Sequence, residues 1–305
     1  MFPIIPANSV TAPSGNDEGI FGFGNAGGTK YGVTNLVSNA GVVASDTAEV
    51  GTARTTLAAC EYGEDKGIFG FGVIQNDSKV GTTNLVSNAG VVASDTAAVG
   101  TARRILGACS YGEDKGIFGF GNASRVAITN LVSNTGVVAS DASSVGTARD
   151  GVAACEYGGD KGIFGFGEDA SGAASMTNLV SNTGVLASDT AGVGTARYIL
   201  AACSYGGDKG IFGYGNDAPN YVGMTNLVSN AGVVASDVSV VGTARGWIAA
   251  TQYGQGKGIF GYGYTNVPTS STLSTTNLVS SSGVVASDTA GVGTVRYSLA
   301  ACSFN

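Results

Sequence analysis

Hydrophobic and polar positions along the chain fall into short alternating runs, and the same runs recur six times. Gly-Ile-Phe-Gly-Phe/Tyr-Gly begins at Gly19, Gly67, Gly116, Gly162, Gly210 and Gly258. Thr-Asn-Leu-Val-Ser begins at Thr34, Thr83, Thr129, Thr177, Thr225 and Thr276. Ala-Ser-Asp ends at Asp46, Asp95, Asp141, Asp189, Asp237 and Asp288. A closing Gly-Thr-Ala-Arg, with Val for Ala in the last copy, ends at Arg54, Arg103, Arg149, Arg197, Arg245 and Arg296. The period is 46 to 49 residues. Within one unit the alternation predicts four strands: A over 200–205, B over 211–215, C around 225–229 and D over 233–236, with glycine-containing turns between A and B and between C and D. No stretch sustains a 3.6-residue apolar period, and glycine recurs too often for helices. The pattern predicts an all-β chain.

Six four-stranded units at this spacing predict a six-bladed β-propeller. The first copy lacks a strand A, and the chain finishes with Leu-Ala-Ala-Cys-Ser-Phe, a strand A without its B. Pairing the C-terminal strand with the N-terminal blade closes the ring and removes an exposed sheet edge. The expected organisation is an N-terminal extension over 1–14 and one propeller over 15–305. Its blade cores lie near 15–46 plus 297–305, 55–95, 104–141, 150–189, 198–237 and 246–288. The unit resembles the kelch repeat in Arg-x-x-Leu-Ala-Ala opening strand A, in Asp-Lys-Gly-Ile-Phe-Gly-Phe-Gly as strand B and in the Ala-Arg that closes each copy. That resemblance implies a propeller with four antiparallel strands per blade. Kelch-containing copper oxidases use histidine ligands, and this chain has no histidine.

Composition narrows the functional classes. Glycine supplies 50 of 305 residues and charged residues 12 %, against averages of about 7 % and about 25 %. An apolar content of 43 % with 12 Phe and 12 Tyr still calls for a packed core. The net charge of −7 comes without a basic cluster, which speaks against nucleic acid or an anionic membrane as partner. Lack of histidine removes Ser-His-Asp and Cys-His catalysis and most general acid–base chemistry near neutral pH. No other nucleophile–base constellation stands out, so no catalytic residue, metal site or cofactor is expected, and the chain reads as non-enzymatic. Gly22-x-Gly24-x-x-Gly27 matches a dinucleotide fingerprint, but the other five copies do not, and no helix is expected to follow. Cys60, Cys109, Cys155, Cys203 and Cys302 share one strand A position, with Thr251 in the sixth copy. An odd count at one repeat position predicts buried free thiols rather than a disulfide framework. The N-terminal stretch has no basic region of a secretory signal, and no apolar run reaches a membrane-spanning length. A soluble monomer is expected, its compartment unread.

Two sets of residues are candidates for chemistry. Each Asp of Ala-Ser-Asp precedes the closing Arg by eight residues, as in Asp46 and Arg54. Six copies favour a bridge pinning the D–A linker, within a unit or between blades, over a ring of anion or metal sites. Differences between copies point elsewhere. Between strands B and C the connections measure 9, 10, 7, 9, 9 and 12 residues, and the rest of the unit has constant length. Sequence differences concentrate there and directly after each closing Arg. In an antiparallel four-stranded blade the B–C and D–A connections emerge at the same end. The candidate binding residues at that end are Tyr198, Trp247, Tyr221, Arg104, Arg125, Tyr31 and Tyr264. A separate axial set is Glu61, Glu156 and Gln252, which alternate with Ser110, Ser204 and Ser303 next to the cysteine position; they are expected either to hold water or a weakly bound cation near the axis or to reflect chance alternation after duplication of a two-blade unit. The expected function is a binding scaffold whose variable end contacts a protein or glycan. The alternatives are a purely structural repeat element of phage or surface fibres, or an engineered consensus propeller without a ligand.

Overall fold

The computed structural model describes residues 16–143, 145–239 and 242–305; the extension over 1–14 lies outside them. The described residues are all-β, and none of their elements is a helix long and apolar enough to cross a membrane. Each repeat builds one antiparallel sheet with a three-stranded core, and the sheets are numbered I to VI by the chain order of their B strands, which begin at Glu18, Lys66, Lys115, Lys161, Lys209 and Lys257. In the second unit Ala58–Tyr62 pairs with Lys66–Gly70, which pairs with Thr83–Val86. Sheet I takes its inner strand from the other end of the chain. Ala300–Phe304 pairs with Glu18–Gly22, with Ile20 opposite Cys302, and Thr34–Val37 follows.

The expected fourth strand is reduced to isolated bridges, such as Val37 to Val43 and Thr34 to Thr47. Between these bridges five residues, 43–47, face four, 34–37, so one residue bulges out. The Asn35 side chain fills the gap, its Nδ2 donating to Ala44 O and Asp46 Oδ1, both at 2.9 Å. A side-chain amide thus replaces part of the ladder in every unit. Among the described residues only sheet III keeps a short fourth strand, Ala142–Ser143. Strand B also differs from expectation, running Lys209–Gly213 in sheet V. Tyr214 and Gly215 have φ of +64° and +110°, and this turn into left-handed backbone ends the strand. The B–C connections are partly ordered ribbons. In sheet VI, Lys257–Thr265 and Ser271–Val279 continue pairing beyond a bulge.

Six hydrophobic cores each lie between consecutive sheets. Between sheets II and III, Cys60, Tyr62, Ile68 and Phe71 pack on Leu106, Phe118 and Val132. The series finishes where Phe21 and Leu299 of sheet I pack on Ile259 and Tyr262 of sheet VI. The five cysteines are free and buried. Each thiol presses on the strand B glycine of the next sheet. A Cβ at Gly116 would lie 2.5 Å from Cys60 Sγ, so no side chain fits there. Burial pushes the Cys203 thiol up to about 12.

Backbone hydrogen bonds link neighbouring sheets in two complete cycles. In one, Thr56 N donates to Ser298 O, Ile105 to Thr56, Gly151 to Ile105, Ile199 to Gly151, Trp247 to Ile199 and Ser298 to Trp247, at 2.8 to 3.0 Å. All six residues have positive φ, between +52° and +65°. The other cycle joins the A–B hairpins: Gly63 N to Asp114 O, Gly112 to Asp160, Gly158 to Asp208, Gly206 to Gly256, Gly254 to Asp17 and Asn305 to Asp65, at 2.7 to 3.0 Å.

Candidate functional site

The Asp/Arg bridges run between neighbouring sheets rather than within one linker. Asp46 pairs with Arg296 at 3.6 Å, and Arg54 pairs with Asp95 at 3.6 Å. Each arginine leaves its linker to reach the aspartate of the following unit, because Asn and Asp of that unit's bulge face back toward it. Arg103 is completely buried. Its Nε donates to Phe120 O at 2.8 Å, its Nη2 to Asn130 Oδ1 at 2.7 Å, and its guanidinium lies 4.2 Å from the Phe71 ring of the preceding sheet. Burial pushes Arg103 down to about 10, against the pull of Asp141. Burial pushes Asp141 up, but bonds from Thr101 and Asn130 and the charge of Arg103 outweigh it and hold the carboxyl below its usual range. Every polar atom of this node has a partner, as a structural tie requires.

Glu61, Glu156 and Gln252 come together around one small cavity of about 50 Å³, with Ser110, Ser204 and the cysteines. The alternation of long and short side chains has a local reason. Glu61 reaches sideways to both neighbours, accepting from Ser110 Oγ at 2.5 Å and from Ser303 Oγ. Gln252 Nε2 likewise donates to Ser303 Oγ at 3.1 Å. Glu156 lacks this arrangement, since Ser204 Oγ donates to the Glu156 backbone carbonyl instead, at 3.3 Å. Burial, then the charges of Glu61, Asp160 and Glu113, push its carboxyl up to about 8. Among the described residues no group of three or more Cys, Asp or Glu is arranged to hold a metal ion.

The segments in which the copies differ meet at one end. The residue after each closing Arg bridges to the first residue of a B–C connection: Arg104 to Asn122, Asp150 to Glu168, Tyr198 to Asn216, Gly246 to Tyr264 and Tyr297 to Asn25. The next residue in each linker belongs to the backbone cycle that contains Trp247. This end divides into two halves of different chemistry. In one, neighbouring connections are tied by charge. Lys30 Nζ reaches Asp77 Oδ1 at 2.7 Å, Lys79 Nζ reaches Ala123 O at 2.8 Å, and Arg125 reaches Glu168 at 2.8 Å and Asp150 at 3.3 Å. Arg125 is therefore committed to intramolecular pairs. Arg104 is different: its Nε is buried without a hydrogen-bond partner.

The other half is aromatic. Tyr221 and Tyr264 have ring centroids 5.8 Å apart, and Tyr264 and Tyr297 stand at 5.7 Å. Tyr221 reaches this cluster across Gly246, where a Cβ would lie 2.7 Å from its ring. Burial raises the Tyr221 hydroxyl, while hydrogen bonds with Trp247 and Asn216 oppose the shift. Tyr198 borders both halves, within the influence of Glu168 and Asp150. Tyr31 is half-buried in the first connection and makes no ring contact with the cluster among the described residues. Sequence reasoning missed the loop ties of Lys30, Lys79 and Asp150. Their signal was the presence of charge in the first four B–C connections and its near absence from the last two. No protein-family model matches the chain, and no curated protein matches it in sequence.

Proposed function

We propose that the six sheets are the blades of a closed, kelch-like six-bladed β-propeller, and that the molecule is a non-enzymatic binding module. The two backbone cycles and the pairing of Ala300–Phe304 with Glu18–Gly22 support the ring. Its partner, a protein or glycan, contacts the end formed by the B–C and D–A connections. The observation carrying this reading is that the B–C connections and the residues after each closing Arg, where the copies differ in length and sequence, meet at one end and are tied there by a cycle of backbone hydrogen bonds. Loops displayed on such a rigid frame are where binding residues concentrate. The test compares two variants on protein and glycan arrays. One carries Tyr198→Ser, Tyr264→Ser, Tyr297→Ser and Arg104→Ser; the other carries alanine at Lys66, Lys115, Lys161 and Lys209 in the opposite hairpins. Binding by the parent chain should vanish only in the first. Loss in the second alone assigns recognition to the wrong end, and no binding by the parent chain on either array favours the purely structural role.

A further inference from the structure

We infer that the aromatic half of the variable end is a subsite for a short, uncharged oligosaccharide, with Tyr221, Tyr264, Tyr297 and Trp247 as its stacking residues. This inference rests on the binding-module reading and narrows it to one ligand class. The rings are half-buried, so each keeps an accessible part. The rings are angled to one another, Tyr221 to Tyr264 at 70° with centroids 5.8 Å apart and Tyr264 to Tyr297 at 57° with centroids 5.7 Å apart, so their faces form an aromatic corner rather than a flat platform. Aromatic faces carry negative potential, which attracts the polarised C–H groups on the flat side of a sugar.

The surroundings supply hydrogen-bonding groups without charge. Residues 264–275 read Tyr-Thr-Asn-Val-Pro-Thr-Ser-Ser-Thr-Leu-Ser-Thr, and residues 216–224 contain one charged residue, Asp217. A carboxylate as the single charge disfavours acidic sugars. A protein-binding hot spot draws on arginine beside its aromatic anchors, and neither connection contains one. The cations of this end, Lys30, Lys79, Arg104 and Arg125, lie in the other half, and all but Arg104 are tied to neighbouring connections. Hydroxyls, amides and tyrosines suit a ligand presenting many neutral hydroxyl groups.

The chain has one tryptophan, Trp247, and it sits in this cluster. Its emission is a local reporter. The intact protein is titrated with cellotetraose, mannotetraose and β-1,4-galactotetraose, and with tetragalacturonate as the acidic counterpart. The expected result is a saturable change with at least one neutral tetrasaccharide. Tyr264→Ala or Tyr297→Ala should weaken its binding about tenfold, a difference of about 1.4 kcal/mol. Tyr264→Phe, which keeps the ring, and Lys79→Ala in the charged half should stay within about threefold. Saturation by tetragalacturonate alone, weakened by Arg104→Ser, overturns the neutral-sugar assignment but leaves the binding end intact. No saturation with any of the four overturns the sugar assignment, and the array comparison above then decides separately whether this end binds anything. Equal loss in Lys79→Ala and Tyr264→Ala moves the ligand off the aromatic half and contradicts the inference.

Discussion

The hairpin end and the variable end are built on the same device, a cycle of six backbone hydrogen bonds between neighbouring sheets, yet only one of them has diverged in sequence. At the hairpin end the side chains repeat because they solve a repeated packing problem. Tyr62, Tyr111, Tyr157, Tyr205 and Tyr253 each lie beneath the C–D turn glycine of the next sheet. At the variable end the cycle passes through Thr56, Ile105, Gly151, Ile199, Trp247 and Ser298, residues with nothing in common but a positive φ. The contrast teaches that variability here is not looseness. Backbone geometry is held constant while side chains are free to differ.

The largest effect should come from breaking both cycles at once. Deleting residues 298–305 removes Ser298 and Asn305 from the two cycles and the buried Leu299, Cys302 and Phe304 from the cores. At about 1.5–3 kcal/mol per large buried side chain, the loss approaches the whole stability of a domain of about 5–15 kcal/mol. Circular dichroism should find the truncated chain without a cooperative melt. An unchanged melting temperature would show that the terminal strand is dispensable.

An intermediate effect should follow from removing one inter-sheet tie. Arg149→Ala leaves the buried Phe166 O and Asn178 Oδ1 without their donor, and each unsatisfied buried acceptor costs about 1–3 kcal/mol. Urea unfolding measures it, and a cost below about 1 kcal/mol would reduce these nodes to the level of surface pairs. Because hydrogen bonds and the arginine hold Asp189 below its usual range despite burial, its contribution is present above the unfolded value of about 3.9 and fades as pH falls through the folded value.

Glu156 has the opposite sign. Its folded value of about 8 lies above its unfolded one, so the preference for its protonated form is complete in acid and is lost as pH rises toward 8. Glu156→Gln should therefore leave stability near pH 4 unchanged and raise it near pH 8 by on the order of 3 kcal/mol. Calorimetric melts at the two pH values check this, and equal shifts at both would refute the assignment. The smallest effect is expected at Thr56, whose φ is +56°. Thr56→Gly removes the penalty of a β-branched residue in the left-handed region and should stabilise by about 0.5–1 kcal/mol, as the native Gly151 already does in its unit.

Sequence periodicity was enough to read the all-β class, the six units and the end at which they differ. It left the arginine partners open, since a fixed spacing of eight residues between Asp46 and Arg54 carries no information about which sheet each side chain faces. It overestimated strand D, because Asn35 reads as one more strand residue although its amide takes over ladder positions. The positive-φ cycle was illegible for a related reason. Ile105 and Ile199 are β-branched residues that normally avoid such backbone, and only tertiary hydrogen bonds hold them there. The two halves of the variable end were present in the sequence as charged and uncharged B–C connections. Their meaning needed the pairings of Lys30 with Asp77 and Tyr264 with Tyr297.

The central claim is that the variable end is as firmly tied as the hairpin end, and native-state hydrogen exchange tests it directly. The amides of Thr56, Ile105, Gly151, Ile199, Trp247 and Ser298 should be protected to the same degree as those of Gly63, Gly112, Gly158, Gly206, Gly254 and Asn305. Rapid exchange confined to the first six would contradict the account and return the sequence differences to ordinary loop drift.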